Sequence, residues 1–138
     1  MKKLNRAERR RNARRFALQA IYEWEISQNA PDEVLLHVYE ENDFSETDLE
    51  HFNRIFRGVV NQVDAIDDAL QVHCDRPLTE LNPIELAILR LAGFELLYCK
   101  DIPPKAVVNE AIEITKEYGS QQGFKYVNAV LDSLKGAV

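Results

Sequence analysis

Four residues near the N-terminus place guanidinium groups and an aromatic ring on one face of a predicted helix. Arg11, Arg15, Gln19 and Tyr22 follow one another in steps of four, four and three residues, which is the spacing of neighbours on a helix surface. Guanidinium groups bind phosphates, and a phenol ring stacks on an unpaired base. The spacing therefore indicates a surface suited to single-stranded nucleic acid.

The positive charge of the chain is concentrated around this face. Residues 1–15 carry eight Lys or Arg and one acid, whereas the rest of the chain is acidic enough to bring the formal net charge to −6. A basic segment attracts polyanions through counterion release, and an acidic body repels them elsewhere. We expect nucleic acid to be held at this segment, with a solubilising tail as the alternative interpretation of a basic terminus.

The sequence lacks the local motifs of catalysis and metal binding. It contains no Gly-rich phosphate loop, no His-Glu-x-x-His and no Cys-x-x-Cys. The acidic neighbours Asp67 and Asp68 point in different directions on a helix, as on a solvated face. Cys74 and Cys99 have no adjacent ligand pattern and are expected to be small buried thiols. We therefore predict a protein without enzymatic activity, cofactor or metal.

Length and composition predict one globular domain spanning residues 1–138, since 46% of the residues are apolar. No apolar run approaches the roughly 18 residues of a membrane span, and the N-terminus is charged. We expect a cytoplasmic protein that does not enter a membrane.

Hydrophobic periodicity predicts an all-α fold of six to seven helices. The N-terminal half, to about residue 75, and the C-terminal half, from about residue 76, are expected to pack as two small bundles. We predict helices over about 6–28, from Pro31, over about 45–74, over 83–98, over 104–118 and from Ser120, with a short turn at 78–81. Ser45 and Asp48 are expected to form a capping box at the start of the third helix, and Ser120 is expected to cap the last one.

Two of these helices have distinctive residues in addition to their apolar periodicity. The helix from Pro83 to Tyr98 is apolar almost all round, which predicts a central position, and Gly93 within it indicates a close helix crossing. Its charged residues Glu85, Arg90 and Glu95 must reach the surface or find partners. At the start of the last helix, Phe124, Lys125 and Tyr126 place a cation between two rings.

Several motifs resemble the NusB family. They are Arg10-Arg11-Asn12-Ala13-Arg14, the stretch from Glu85 to Leu91, "AVVNEAIEITKEYG" and "FKYVNAVLD". The resemblance covers essentially the whole chain in order and implies an all-α, non-catalytic protein. It further implies a heterodimer with the ribosomal protein NusE that recognises single-stranded boxA leader RNA. That pair assembles with RNA polymerase and other Nus factors in antitermination during rRNA transcription.

The resemblance also implies roles for particular residues. The implied RNA contacts are Arg10, Arg11, Arg14, Arg15, Lys125 and Tyr126. Tyr22 and Glu85 are implied to face NusE.

Three other interpretations compete. The chain could be a helical protein-interaction module whose basic N-terminal helix docks an acidic partner. It could self-associate as a homodimer that buries the first helix. NusB-like domains also occur fused to RNA methyltransferases, so an enzyme is the third interpretation. We find no nucleotide-cofactor pattern before Val138, which argues against it.

Overall fold

The computed structural model describes residues 3–138, so Met1 and Lys2 of the basic segment lie outside the described residues. The described chain forms α1 (Arg6–Ser27), α2 (Pro31–Glu41), α3 (Leu49–Gln71), a 3₁₀ turn (Leu78–Glu80), α4 (Pro83–Tyr98), α5 (Pro104–Tyr118) and α6 (Gly123–Ala137). The all-α prediction is confirmed, with six α-helices in residues 3–138. None of these helices combines the length and apolar character needed to cross a membrane.

Short polar side chains begin three of the helices. Asn5, Asp48 and Asn82 each accept hydrogen bonds from backbone N–H groups of the following turn, at 2.9 to 3.2 Å. These bonds satisfy donors that have no partner within the helix. Asn82 followed by Pro83 begins α4 as the sequence predicted.

Two predicted helix starts are wrong. The helix expected from Ser45 begins at Leu49, because Asp48 lies directly before it and caps it in place of Ser45. The last helix begins at Gly123, and Ser120 does not cap it. The backbone N–H of Ser120 is instead bonded to the Glu85 carboxylate of α4, which keeps the residues before Gly123 in a turn.

The central position of α4 is confirmed. Its residues 85–96 are all buried, and it packs against α1, α3, α5 and α6. The buried apolar side chains of these helices form one continuous cluster that includes Ile21, Phe56, Leu89 and Leu131. The apolar surface all round α4 is thus covered from both halves of the chain.

Each charged residue of α4 has found a partner. Arg90 donates to both carboxylate oxygens of Asp67 at 3.0 and 2.9 Å and to Glu25 at 3.1 Å. These bonds connect α4 to α3 and α1. Glu85 accepts a hydrogen bond from the Ser120 backbone N–H, and Glu95 accepts one from Arg14.

The close helix crossing expected at Gly93 is also confirmed. A Cβ atom at this position would come within 3.2 Å of the Ile66 Cγ2 atom of α3. The missing side chain therefore lets α4 approach α3 closely.

Candidate nucleic-acid interface

Two adjoining grooves run along the surface of α1. The arginine groove, of about 330 Å³, lies between α1 and α5 and is lined by Arg11, Arg15, Glu110, Glu113, Ile114 and Glu117. The aromatic groove, of about 370 Å³, is lined by Asn12, Arg15, Phe16, Leu18, Gln19, Tyr22, Asn42, Ile84 and Tyr118. Arg15 lines both, so the two grooves form one surface.

The aromatic groove holds the exposed rings of this surface. Tyr22 is 37% exposed and Tyr118 is 47% exposed. Tyr118 lies beyond Thr115, the last residue of α5 that reaches the core. The structure does bring Arg15 and Tyr22 to one groove, as their helical spacing predicted.

The arginine groove contains two ion pairs. Arg11 Nε lies 3.0 Å from Glu110 Oε1, and Arg15 Nη2 lies 2.8 Å from Glu117 Oε1. The hydrogen bond from Arg15 holds the pKa of Glu117 below its ordinary value, and the same bond raises the pKa of Arg15. Sequence reasoning missed these acidic partners, because they lie on another helix far along the chain.

The first turns of α1 are held by loop atoms. Arg9 donates to the backbone oxygens of Ser45 at 3.5 Å and Thr47 at 3.2 Å. Arg10 lies within 3.6 Å of Asp48 and 4.0 Å of Asp101, and its buried Nε has no hydrogen-bond partner. The Arg10 side chain is only 19% exposed. It lines neither of the two grooves.

Arg14 is buried, unlike the arginines beside it. Its side chain is 5% exposed, and its Nε and Nη2 atoms donate to Glu95 at 2.9 Å each. Arg14 shares a stripe with Leu18 and Ile21, which are core residues of α1. That spacing was a sequence signal for burial. The structure thus places Arg14 away from the surface that the resemblance implied.

Glu85 is also directed inward. It is 7% exposed and accepts a hydrogen bond from the Ser120 backbone N–H at 2.7 Å. A Cβ atom at Gly123 would lie 2.3 Å from the carboxylate, so this glycine leaves the space that Glu85 fills. Glu85 therefore holds the turn between α5 and α6 and exposes little surface for the contact with NusE that the resemblance implies. Its neighbour Ile84 lines the aromatic groove.

Lys125 and Tyr126 occupy the first turn of α6. Lys125 is exposed, whereas Tyr126 is half-buried and donates through its hydroxyl to Asp75 at 3.1 Å. The Arg76 guanidinium lies 4.9 Å from the centre of the Tyr126 ring. Burial, with the hydrogen bonds to Cys74 and Asp75, raises the pKa of Tyr126 to about 12. These contacts join Tyr126 to the segment after α3 and not to the arginine groove.

Asp101, in the connector after α4, is expected to stay ionised in acid. Arg54 donates to its two oxygens at 2.8 and 3.1 Å, and these bonds lower the pKa of Asp101 to about 2. Because folding lowers this pKa, the stability that the pair contributes is present above the ordinary value of 3.8 and is lost as the pH falls toward 2.

NMR of the carboxyl carbons would test this prediction. We expect Asp101 to be mostly ionised at about pH 3, where an unperturbed Asp is mostly protonated. Arg54→Gln should return the titration toward the ordinary range. A pKa that stays low in this variant would contradict the role of Arg54.

The described residues offer little for covalent or metal chemistry. No group of three or more His, Cys, Asp or Glu side chains in residues 3–138 could hold a metal ion. Cys74 and Cys99 are free thiols, and the expectation of burial is wrong for Cys74, which is half-buried. Cys99 is buried, as expected, and burial raises its pKa to about 11, which disfavours the reactive thiolate.

A surface of this kind defines a class of protein. An all-helical body carries a groove of half-exposed arginines that suits phosphate groups, and this groove continues into an aromatic groove that suits bases or the apolar side chains of a partner. These two grooves are typical of a protein that acts by binding nucleic acid or another protein.

The chain belongs to the NusB family, whose model matches residues 11–135. It is similar to the transcription antitermination protein NusB of Coxiella burnetii, with 44% identity over 129 residues and 94% of each chain covered. Membership confirms the resemblance seen in the sequence, and it confirms the prediction of a non-catalytic protein.

Solved structures agree with this assignment. T. maritima NusB superposes with a TM-score of 0.81 at 31% identity, over 91% of this chain and 89% of that one. A crystal structure of antitermination factors NusB and NusE in complex with dsRNA superposes with a TM-score of 0.81 at 26% identity, over 93% and 96% of the two chains.

Proposed function

We propose that this protein is an RNA-binding transcription antitermination factor that recognises boxA leader RNA together with the ribosomal protein NusE. The observation that carries the proposal is the pair of partly exposed arginines, Arg11 and Arg15, in a groove that continues into the aromatic groove around Tyr22. The similarity to a NusB that forms a complex with NusE and RNA supports it.

The two grooves suit different ligands. Arg11 and Arg15 would bind RNA phosphates, with Arg10 at one edge and Lys125 and Tyr126 farther along the RNA. Phosphate contacts position an RNA without reading its sequence. Arg14 is not part of this contact set, because it is buried against Glu95.

The aromatic groove would receive NusE. Exposed aromatic rings that can enter a partner's pocket are the usual anchors of protein interfaces, and Tyr22 and Tyr118 supply them here. Arg15 lines both grooves, so RNA and NusE would meet at this residue. A homodimer covering the aromatic groove is the alternative occupant, and sedimentation at increasing concentration would reveal it.

The net charge of the chain explains why a partner would be needed. With a formal charge of −6, the body repels RNA outside the arginine groove. NusE would add contacts and shield acidic side chains. In the complete process, the RNA-bound pair would join RNA polymerase and other Nus factors during rRNA transcription, and the protein would act in the cytoplasm.

Arg11→Ala and Arg15→Ala are each expected to weaken binding of a labelled boxA-type RNA by roughly tenfold, since a hydrogen bond to a charged group contributes about 1.5–3 kcal/mol. Each loss should also reduce the slope of log affinity against log salt, by at most about 0.7, the value per phosphate on a single strand. Fluorescence anisotropy with and without NusE measures both quantities.

Arg57→Ala is the matched control. Arg57 lies on α3, is 53% exposed and pairs with Asp32 at 3.2 Å. Arg57→Ala therefore removes one positive charge, as the other two variants do, at a position outside both grooves. Equal losses in all three variants would indicate a general charge effect and contradict the proposed site. Loss of NusE binding with RNA binding retained would favour the protein-interaction module instead.

A further inference from the structure

We propose that Glu110 and Glu117 of α5 are competing anions that hold Arg11 and Arg15 until RNA phosphates displace them. The two glutamates thereby lower the affinity for every RNA, so that stable binding requires base contacts and the partner protein. This inference rests on the proposed function, because it concerns how the arginine groove takes up RNA.

The glutamates use the same donors that a phosphate would use. Arg15 donates from Nε at 3.1 Å and from Nη2 at 2.8 Å to the two oxygens of Glu117. Arg11 donates from Nε to both oxygens of Glu110, at 3.0 and 3.1 Å. The contact from Arg15 uses two N–H groups, and a fork of this kind matches phosphate as well as carboxylate. Glu110 occupies only the Nε–H group of Arg11, which is one of the donors that a phosphate could use. Phosphate and carboxylate therefore cannot occupy the same donors at once.

The pairs are exposed enough to exchange. The side chains of Arg15 and Glu117 are 35% and 39% exposed, and those of Arg11 and Glu110 are 49% and 19% exposed. Ion pairs in contact with water contribute little and are screened by salt. Glu117 should be displaced more readily than Glu110, because it is the more exposed of the two.

Exchange leaves a signature in the salt dependence. When a phosphate displaces Glu117 from Arg15, the freed carboxylate attracts a cation from solution. This uptake cancels part of the counterion release that drives RNA binding. A neutral glutamine attracts no cation, so Glu117→Gln should steepen the dependence of log affinity on log salt.

The test measures anisotropy of a labelled boxA-type RNA and of a scrambled RNA across a salt series, using the full chain. Glu110→Gln and Glu117→Gln should each tighten binding of both RNAs by about two- to fivefold, the range expected when an exposed ion pair no longer competes. The salt slope should steepen in both variants. Circular dichroism should show an unchanged helical fold.

Glu113→Gln is the matched control. Glu113 lies on α5 and lines the arginine groove, but it pairs with Lys116 at 3.6 Å and not with an arginine of α1. It should change the affinity by less than about twofold and leave the slope unaltered. An equal gain in Glu113→Gln would overturn the inference, since the groove would then respond to net charge alone.

The remaining outcomes separate this inference from the proposed function. If Arg11→Ala and Arg15→Ala weaken RNA binding while Glu110→Gln and Glu117→Gln change neither affinity nor slope, competition by the glutamates is overturned and the proposed function stands. If the wild type binds neither RNA, with or without NusE, the proposed function fails and this inference fails with it.

Discussion

Arg14→Ala is expected to lower the free energy of unfolding by about 3–5 kcal/mol, because it leaves a buried carboxylate without its counter-charge. Glu95 is 1% exposed and accepts two hydrogen bonds from Arg14 at 2.9 Å and one from His51 Nε2 at 3.0 Å. These contacts join α1, α3 and α4 at the centre of the fold. The loss should appear as a lower urea midpoint.

The same group predicts sensitivity to acid. Burial opposes ionisation of Glu95, but the hydrogen bonds from His51 and Arg14 outweigh it and hold the pKa of Glu95 below its ordinary value. Because folding lowers this pKa, the stabilisation is present above the ordinary value of 4.5 and is lost as the pH falls through the folded value. The wild type should therefore lose stability on acidification, and Glu95→Gln should flatten that dependence.

Two variants make the stability prediction specific. Arg11→Ala, on the same helix but half-exposed, should change the unfolding free energy by less than about 1 kcal/mol. Arg14→Met with Glu95→Leu should recover only part of the loss, because apolar side chains can replace the ion pair but His51, 2% exposed, then loses its carboxylate partner. A loss below about 1 kcal/mol in Arg14→Ala would mean that the pair does not stabilise the core. If Arg14→Ala were that stable and still failed to bind RNA, unfolding could not be the cause of the lost binding.

Gly58→Ala is expected to lower the unfolding free energy by about 2 kcal/mol, through overpacking that exceeds the roughly 1 kcal/mol gained in helix propensity. A Cβ atom at Gly58 would lie 2.1 and 2.2 Å from two ring carbons of Phe94. Phe94 is 6% exposed, and its ring stacks on Tyr98 at 5.4 Å between centroids. The ring would have to rotate out of its packed position, or α4 would have to move away from α3.

Chemical denaturation of three variants would check this prediction. Gly136→Ala, in α6, has no atom within 4 Å of its Cβ position and should be neutral or stabilising. Phe94→Leu should reduce the penalty of Gly58→Ala, because a smaller side chain frees the space. A stable Gly58→Ala with an unchanged denaturant slope would show that α3 and α4 separate at little cost.

The sequence determined the helices and the family. Periodic apolar residues specify a helix and its buried face locally, and Asn82 followed by Pro83 specifies where α4 begins. The nearly continuous apolar surface of α4 allowed only a central position. The long C-terminal motifs resembled one family strongly enough to predict membership.

The helix starts at Ser45 and Ser120 were less predictable. Each serine is an acceptable cap by itself, but other contacts place the helix starts elsewhere. Asp48 caps α3 from the adjacent position, and Glu85 of α4 holds the turn at Ser120 by accepting a bond from its backbone N–H. The Asp48 cap is visible in the sequence, whereas the Glu85 contact appears only when α4 packs beside the turn.

The partners of the arginines depended on tertiary structure. The sequence around Arg14, Arg11 and Arg15 does not reveal their acidic partners, which lie 81, 99 and 102 residues away. Local spacing determines which face of α1 each arginine occupies, because a helix has a fixed period. It does not determine which carboxylate another helix brings to that face. Packing against α4 buried Arg14, whereas packing against α5 left Arg11 and Arg15 partly exposed. Water screens an exposed ion pair more strongly than a buried one. The partners of Arg11 and Arg15 are therefore displaceable, and the partner of Arg14 is not.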